Sequence, residues 1–107
     1  MKSAIAVVGE CMLQLGELQQ ADDPNALNAT LSYGGDTLNT ALYLSRLGIQ
    51  VDYVTAVGDD SMSDWLINCW QQEGIGCEHV ERFAGGVPGL YLIELDAQGE
   101  RTFKYWR

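Results

Sequence analysis

Basic residues are scarce in this chain. Six lysines and arginines stand against fifteen acids in 107 residues, a formal net charge of -9 at pH 7. Phosphate backbones and anionic membrane surfaces are bound by clustered Lys and Arg, so neither nucleic acid nor a membrane is expected as a partner. Cysteine is also sparse. Cys11, Cys69 and Cys77 make an odd count without a CxxC spacing. That pattern argues against a disulfide frame and a zinc site, and for reduced thiols. Long apolar runs are missing. The stretch at residues 4–8 is stopped by Gly9 and Glu10, too short for a signal peptide or a membrane-spanning helix. A soluble, cytoplasmic protein is expected, with no metal ligands. The single histidine, His79, lies in a weak strand pattern and reads as a surface residue rather than a catalytic one. There is no low-complexity tract, long linker or internal repeat. The few bases are unevenly placed: Arg101, Lys104 and Arg107 put half of the six into the last seven residues. That strand is where an anion is expected.

What is present is ordinary globular material, 47% hydrophobic and 20% charged. Residues 3–9, SAIAVVG, form an apolar run ending in glycine, which suits a buried parallel strand. Residues 11–18 alternate partly and predict a short, half-exposed strand, and residues 19–28, polar with Pro24, predict a loop. A helix is expected within residues 32–48, with Asp36 as N-cap and Gly48 just past its end. Residues 51–57 are β-rich. A second helix starts near Asp60, with Ser61 and Asp64 spaced as in a capping box. Met62, Trp65, Leu66, Cys69 and Trp70 form its core-facing stripe, Gly74 ends it, and residues 78–83 give a weak third strand. Strand, helix, strand, helix, strand predicts an α/β domain with a parallel sheet. The other β-rich segments do not fit that layer.

Residues 88–107, PGLYLIELD-AQG-ERTFKYWR, predict a hairpin. A two-residue loop pairs Asp96 with Gly99 and sets Tyr91 opposite Lys104. A three-residue loop puts Gly99 in the left-handed position of a type I turn with a G1 bulge. It pairs Asp96 with Glu100, Tyr91 with Tyr105 and Gly89 with Arg107. Glycine takes that backbone shape at little steric cost, which favours the second register. One face then carries Tyr91, Ile93, Leu95, Arg101, Phe103, Tyr105 and Arg107, with Tyr91, Tyr105 and Arg107 clustered away from the turn. Two phenols and a guanidinium can clamp a polyol that bears a carboxylate. An amphipathic hairpin whose aromatics cover a core and whose arginines are solvated accounts for the same pattern.

Gly34-Gly35-Asp36-Thr37-Leu38-Asn39-Thr40-Ala41 stands at a loop-to-helix junction. Glycines there let a ligand approach the backbone, and a helix N-terminus adds donors and partial positive charge. Asn39 can hydrogen-bond a hydroxyl. A plain tight turn is the other reading, because the GxGxxG and GKS/T spacings are both absent. The octapeptide GGDTLNTA resembles the first signature of the PfkB (ribokinase-like) sugar kinases, with VVGE at residues 7–10 and YVTAVGDD at 53–60 in support. GGDTLNTALYLSRLG, YVTAVGDDSMSDW and the terminal hairpin together resemble the branch of that family acting on 2-keto-3-deoxygluconate, over almost the whole chain.

The resemblance implies a ribokinase-like α/β fold with a partial parallel sheet, helices and a small β lid built from about residues 11–18, 29–33 and 88–107. It implies phosphorylation of 2-keto-3-deoxygluconate to the 6-phosphate with ATP and Mg²⁺. It also implies sugar contacts from Gly34, Gly35, Asn39, Tyr91, Tyr105 and Arg107, with Arg107 near the carboxylate. Ribokinase-type members place an acidic sugar ligand shortly after the first strand. Gln14 stands nearby here, and residues 10–14 are not assigned to the site.

The family's second signature, a GAGD-type stretch that supplies an anion hole and the catalytic base, does not occur in these residues. Residues 1–107 are therefore expected to be the N-terminal sugar-binding portion of such a kinase without its ATP-binding portion. No catalytic residue, bound nucleotide or turnover is expected of them alone. The alternatives are another PfkB sugar kinase, fructokinase- or ribokinase-like, or a non-catalytic module that forms homo-oligomers through its lid strands.

Overall fold

A computed structural model describes residues 4–107. Ser3, expected to open the first strand, lies outside them. The chain forms β1 (Ile5–Val8), β2 (Met12–Gln20), β3 (Leu27–Gly34), α1 (Asp36–Arg46), β4 (Val51–Gly58), α2 (Ser61–Gln72), β5 (Val80–Phe83), β6 (Gly89–Leu95) and β7 (Arg101–Trp106). These divide into two compact units, residues 1–11 with 34–88 and residues 12–33 with 89–107.

The first unit is the expected α/β layer. Its sheet runs β1-β4-β5, with Ile5 beside Val51 and Thr55 beside Val80 in parallel register. Leu38 and Ala41 of α1, Val51 and Tyr53 of β4, Leu66 and Trp70 of α2, and Ile75 are at most 2% exposed. Fully burying a leucine-sized side chain contributes roughly 1.5–3 kcal/mol. Tyr53 meets Trp70 edge-on with ring centroids 5.2 Å apart, the geometry that ring quadrupoles favour. Of the expected α2 stripe, only Leu66 and Trp70 are fully buried, while Met62, Trp65 and Cys69 are half-buried. Ser63 takes a buried place on the helix because its hydroxyl accepts the Gly58 N–H at 3.0 Å.

The start of α1 differs from expectation by one residue, while α2 starts next to Asp60 as expected. Asp36 is the first residue of α1, and Gly35 holds the cap position at φ 129. A Cβ on Gly35 would stand 2.7 Å from the Glu10 carbonyl oxygen, so backbone packing reserves that position for glycine. The Asp36 carboxylate still sits in the first turn, where the helix dipole favours it. For α2 the cap is Asp60, whose side chain accepts the Ser63 N–H at 3.1 Å. Asp64 is drawn away from a capping box by Arg82, 2.5 Å distant. The helices end as expected, with Gly48 and Gly74 following Leu47 and Glu73. Arg46 and Glu73 make a two-point ion pair at 3.0 and 2.8 Å.

The second unit is one four-stranded sheet in the order β3-β2-β6-β7. The strand expected over residues 11–18 runs to Gln20, and β3 begins at Leu27, so the loop expected over 19–28 shrinks to 21–26. Gln20 makes the shorter turn possible by donating its amide to the carbonyls of Asp23 at 3.2 Å and Ala26 at 3.0 Å. The outer pair, β6 and β7, is the predicted hairpin. The inner pair, β2 and β6, is parallel, with Met12 beside Gly89 and Gln14 beside Tyr91.

Candidate functional site

In the second unit the turn settles which side chains share a face. Gly99 sits at φ 79. Its N–H donates to the Asp96 carbonyl at 3.0 Å, while the Asp96 N–H donates to the Glu100 carbonyl at 2.8 Å. The Asp96 carboxylate accepts the N–H groups of Gln98 and Glu100, both at 2.9 Å. This is the three-residue loop. Tyr91 therefore pairs with Tyr105, Ile93 with Phe103 and Leu95 with Arg101. The Tyr91 ring lies 5.9 Å from Tyr105 and 6.2 Å from Phe103, and Phe103 stacks on Tyr105 at 6.3 Å. The Arg107 guanidinium carbon stands 5.1 Å from the centre of the Tyr105 ring, a cation–π contact worth about 0.5–1 kcal/mol when solvated. Its Nη2 also reaches the Met12 sulfur at 3.8 Å. Tyr91, Tyr105 and Arg107 are thus gathered on one face, as the favoured register predicts. Lys104 points the other way and pairs with Glu94 at 3.0 Å.

Parallel pairing of β2 adds what the sequence reading left out. Gln14 is beside Tyr91 in register, and its Oε1 accepts the Tyr91 hydroxyl proton. Beyond Gln14 the same unit is hollowed by a cavity of about 530 Å³, lined by Gln14, Glu17, Ile93 and Arg101 among others. The position of Gln14 after the first strand was visible in the sequence, but its pairing with Tyr91 was not, because the partner is 77 residues away and parallel strand pairing is not announced by a turn.

Gly34, Gly35 and Asn39 lie together in the first unit, at the head of α1. Gly34 is buried and Asn39 exposed. The Asn39 N–H donates to the Gly35 carbonyl at 2.9 Å. Below them the Thr37 and Tyr53 hydroxyls are 2.9 Å apart. Burial pushes the Tyr53 phenol up to about 12, so it stays protonated as a hydrogen-bonding group. The Cys11 thiol is likewise pushed up to about 12 by burial, which makes it an inert core residue rather than a nucleophile.

Among the described residues no cluster of three or more His, Cys, Asp or Glu is placed to hold a metal ion. No helix among them is long and apolar enough to cross a membrane.

A diglycine-to-helix junction on a parallel α/β layer and a phenol–guanidinium face on a separate sheet define a sugar-kinase type of architecture. The chain belongs to the pfkB family of carbohydrate kinases, which it matches over residues 2–107. It is 48% identical to the 2-dehydro-3-deoxygluconokinase of Dickeya dadantii over 107 residues. It is 50% identical to that of Haemophilus influenzae, again over 107 residues. Each alignment takes in 96% of this chain and 32% of the relative. Among solved structures, the fructokinase of Xylella fastidiosa superposes with a TM-score of 0.86 at 27% identity, covering 97% of this chain and 32% of that one. The same enzyme is also known with bound ATP. The chain thus spans about a third of the length of the curated relatives it matches.

Proposed function

We propose that this chain is the sugar-binding portion of a kinase that transfers a phosphoryl group from ATP to the 6-hydroxyl of 2-keto-3-deoxygluconate. The observation that carries this reading is the Tyr91–Tyr105–Arg107 cluster on one sheet face. Its guanidinium suits a carboxylate, which it can hold through two parallel hydrogen bonds. Its phenols suit the hydroxyls of a polyol. Similarity to two 2-dehydro-3-deoxygluconokinases supports the acid sugar over a neutral ketose. Gly34, Gly35 and Asn39 are assigned to sugar contacts as well, through backbone approach and an exposed carboxamide.

The residues present bind and orient the sugar. ATP, Mg²⁺ and the base that orients the attacking hydroxyl belong to the activity of the whole kinase. They are assigned to no residue here, and the nucleotide-binding portion is placed outside these 107 residues.

The test is Arg107→Ala in the intact kinase. Losing a charge-assisted hydrogen bond costs about 1.5–3 kcal/mol, so affinity for 2-keto-3-deoxygluconate should fall about ten-fold or more. Affinity for fructose, which lacks the carboxylate, should change little. Equal losses for both sugars would remove the carboxylate role from Arg107.

A further inference from the structure

We propose that Tyr53 is a positioning residue for the sugar site: acting through Thr37, it seats the head of α1 and with it Gly34, Gly35 and Asn39. The inference rests on the reading of those three residues as sugar contacts. Tyr53 stands in β4 and is fully buried. Its ring meets Trp70 edge-on at 5.2 Å, a place that a phenylalanine would fill as well. What the phenol adds is an oxygen under the first turn of α1, 2.9 Å from the Thr37 hydroxyl.

The rest of the α1 head is seated by contact alone. A Cβ on Gly9 would overlap the Thr37 hydroxyl and methyl, so the threonine side chain lies directly on the backbone just past β1. Gly35 is packed in the same way, its Cβ position 2.7 Å from the Glu10 carbonyl oxygen. Such contacts fix how close the turn comes to residues 9–10, but they leave it free to slide or roll. A hydrogen bond is directional and selects one setting. Side chains two places apart on a helix point about 200° from each other. Thr37 therefore reaches inward to Tyr53 while Asn39 is exposed on the outer side of the same turn. Any roll permitted at Thr37 is carried to Asn39 and the diglycine. A misplacement of about 1 Å among groups that touch a substrate is costly even when the change lies away from it.

The experiment measures the dissociation constant of 2-keto-3-deoxygluconate and the KM for ATP in the intact kinase, well below the thermal midpoint of every variant. Each variant is then folded, and lost stability alone leaves both constants unchanged. Tyr53→Phe and Thr37→Val each delete one hydroxyl at nearly constant volume. Each should raise the sugar constant about five-fold, the weight of one neutral hydrogen bond, and leave the KM for ATP as it was. The double variant should be no weaker than either single one, because neither residue is assigned to the sugar and both act through one shared bond. Thr37→Ser, which keeps the hydroxyl, should bind the sugar nearly as the natural protein does. Should Tyr53→Phe fail to fold, Thr37→Val and Thr37→Ser read the same bond from its other end.

Asn39→Ala is the reference and should weaken sugar binding. If it does while Tyr53→Phe and Thr37→Val leave the sugar constant unchanged, lose affinity additively, or weaken sugar and ATP alike, the positioning role is overturned and the functional reading stands. No effect of Asn39→Ala would instead remove the α1 head from the sugar site, and with it the reading on which the inference rests.

Discussion

Asp60 shows how one carboxylate sets a helix boundary. Its side chain accepts the Ser63 N–H, one of the donors that the first turn of α2 leaves without a helical partner. Hydrogen bonding by Ser63, from its side chain first and its backbone N–H second, holds the carboxyl below its ordinary value of 3.8. A folded pKa lower than the unfolded one gives stability that is present above the ordinary aspartate range. It is lost as pH falls through the depressed value. Asp60→Asn keeps a good cap without the titration. The thermal midpoint of the natural protein should therefore fall relative to the asparagine variant on acidification below pH 4 or so. A difference between the two midpoints that stays flat with pH would show that the cap is not the titrating contact. At this scale the sequence is a good guide to chemistry and a poor one to exact place. Asp60 was one of three acidic or hydroxyl residues able to start α2, and it is the one whose side chain reaches the Ser63 N–H, while Asp64 pairs with Arg82. At α1 a carboxylate expected to cap was displaced by a glycine that only the Glu10 backbone explains.

Among the elements, the terminal hairpin was the most legible because its register is a local property. Asp96 and Gly99 lie three residues apart and fix every pair from Leu95–Arg101 to Leu90–Trp106. The β2–β6 pairing is the opposite case. Its partners come from distant parts of the chain, and alternation alone cannot say which strand will lie beside which. Gln14, noted in the sequence near the place of an acidic ligand in relatives, could not be paired with Tyr91 for that reason. The hairpin's dependence on its register gives a sharp prediction. Deleting Arg101 keeps the three-residue loop and moves the rest of β7 by one place, which sets Tyr105 opposite Leu92 and Arg107 opposite Leu90 and turns both to the face opposite Tyr91. Strand content by circular dichroism should be little changed, since the hairpin can still form. Binding of 2-keto-3-deoxygluconate by the intact kinase should be abolished, because the phenols and the guanidinium no longer share a face. Retained affinity in that deletion variant would mean that the shared face does not hold the sugar.

Over the whole chain, the order of strand and helix patterns predicted an α/β layer, and the β1-β4-β5 parallel sheet with its two helices is that layer. The sequence could not show that the remaining strands join into a single sheet, because two stretches separated by more than fifty residues must meet to build it. The chemistry is divided too. The groups proposed to meet the sugar are the diglycine with Asn39 and the Tyr91, Tyr105 and Arg107 face. Phosphoryl transfer needs phosphates held in place, charge neutralised by metal, and a base to orient the attacking hydroxyl. No GAGD-type stretch occurs in the 107 residues, and the described residues hold no cluster suited to a metal. A protein consisting of these 107 residues, given ATP, Mg²⁺ and 2-keto-3-deoxygluconate, should form no 6-phosphate above the uncatalysed background in a coupled ADP assay. The intact kinase, run beside it, should turn over. Sugar-dependent ADP release from the 107-residue protein alone would place a base and a phosphate site among residues now assigned only to holding the sugar. Asp36 and the Asp59–Asp60 pair, as the acids nearest the two helix N-termini, would then be the first to substitute.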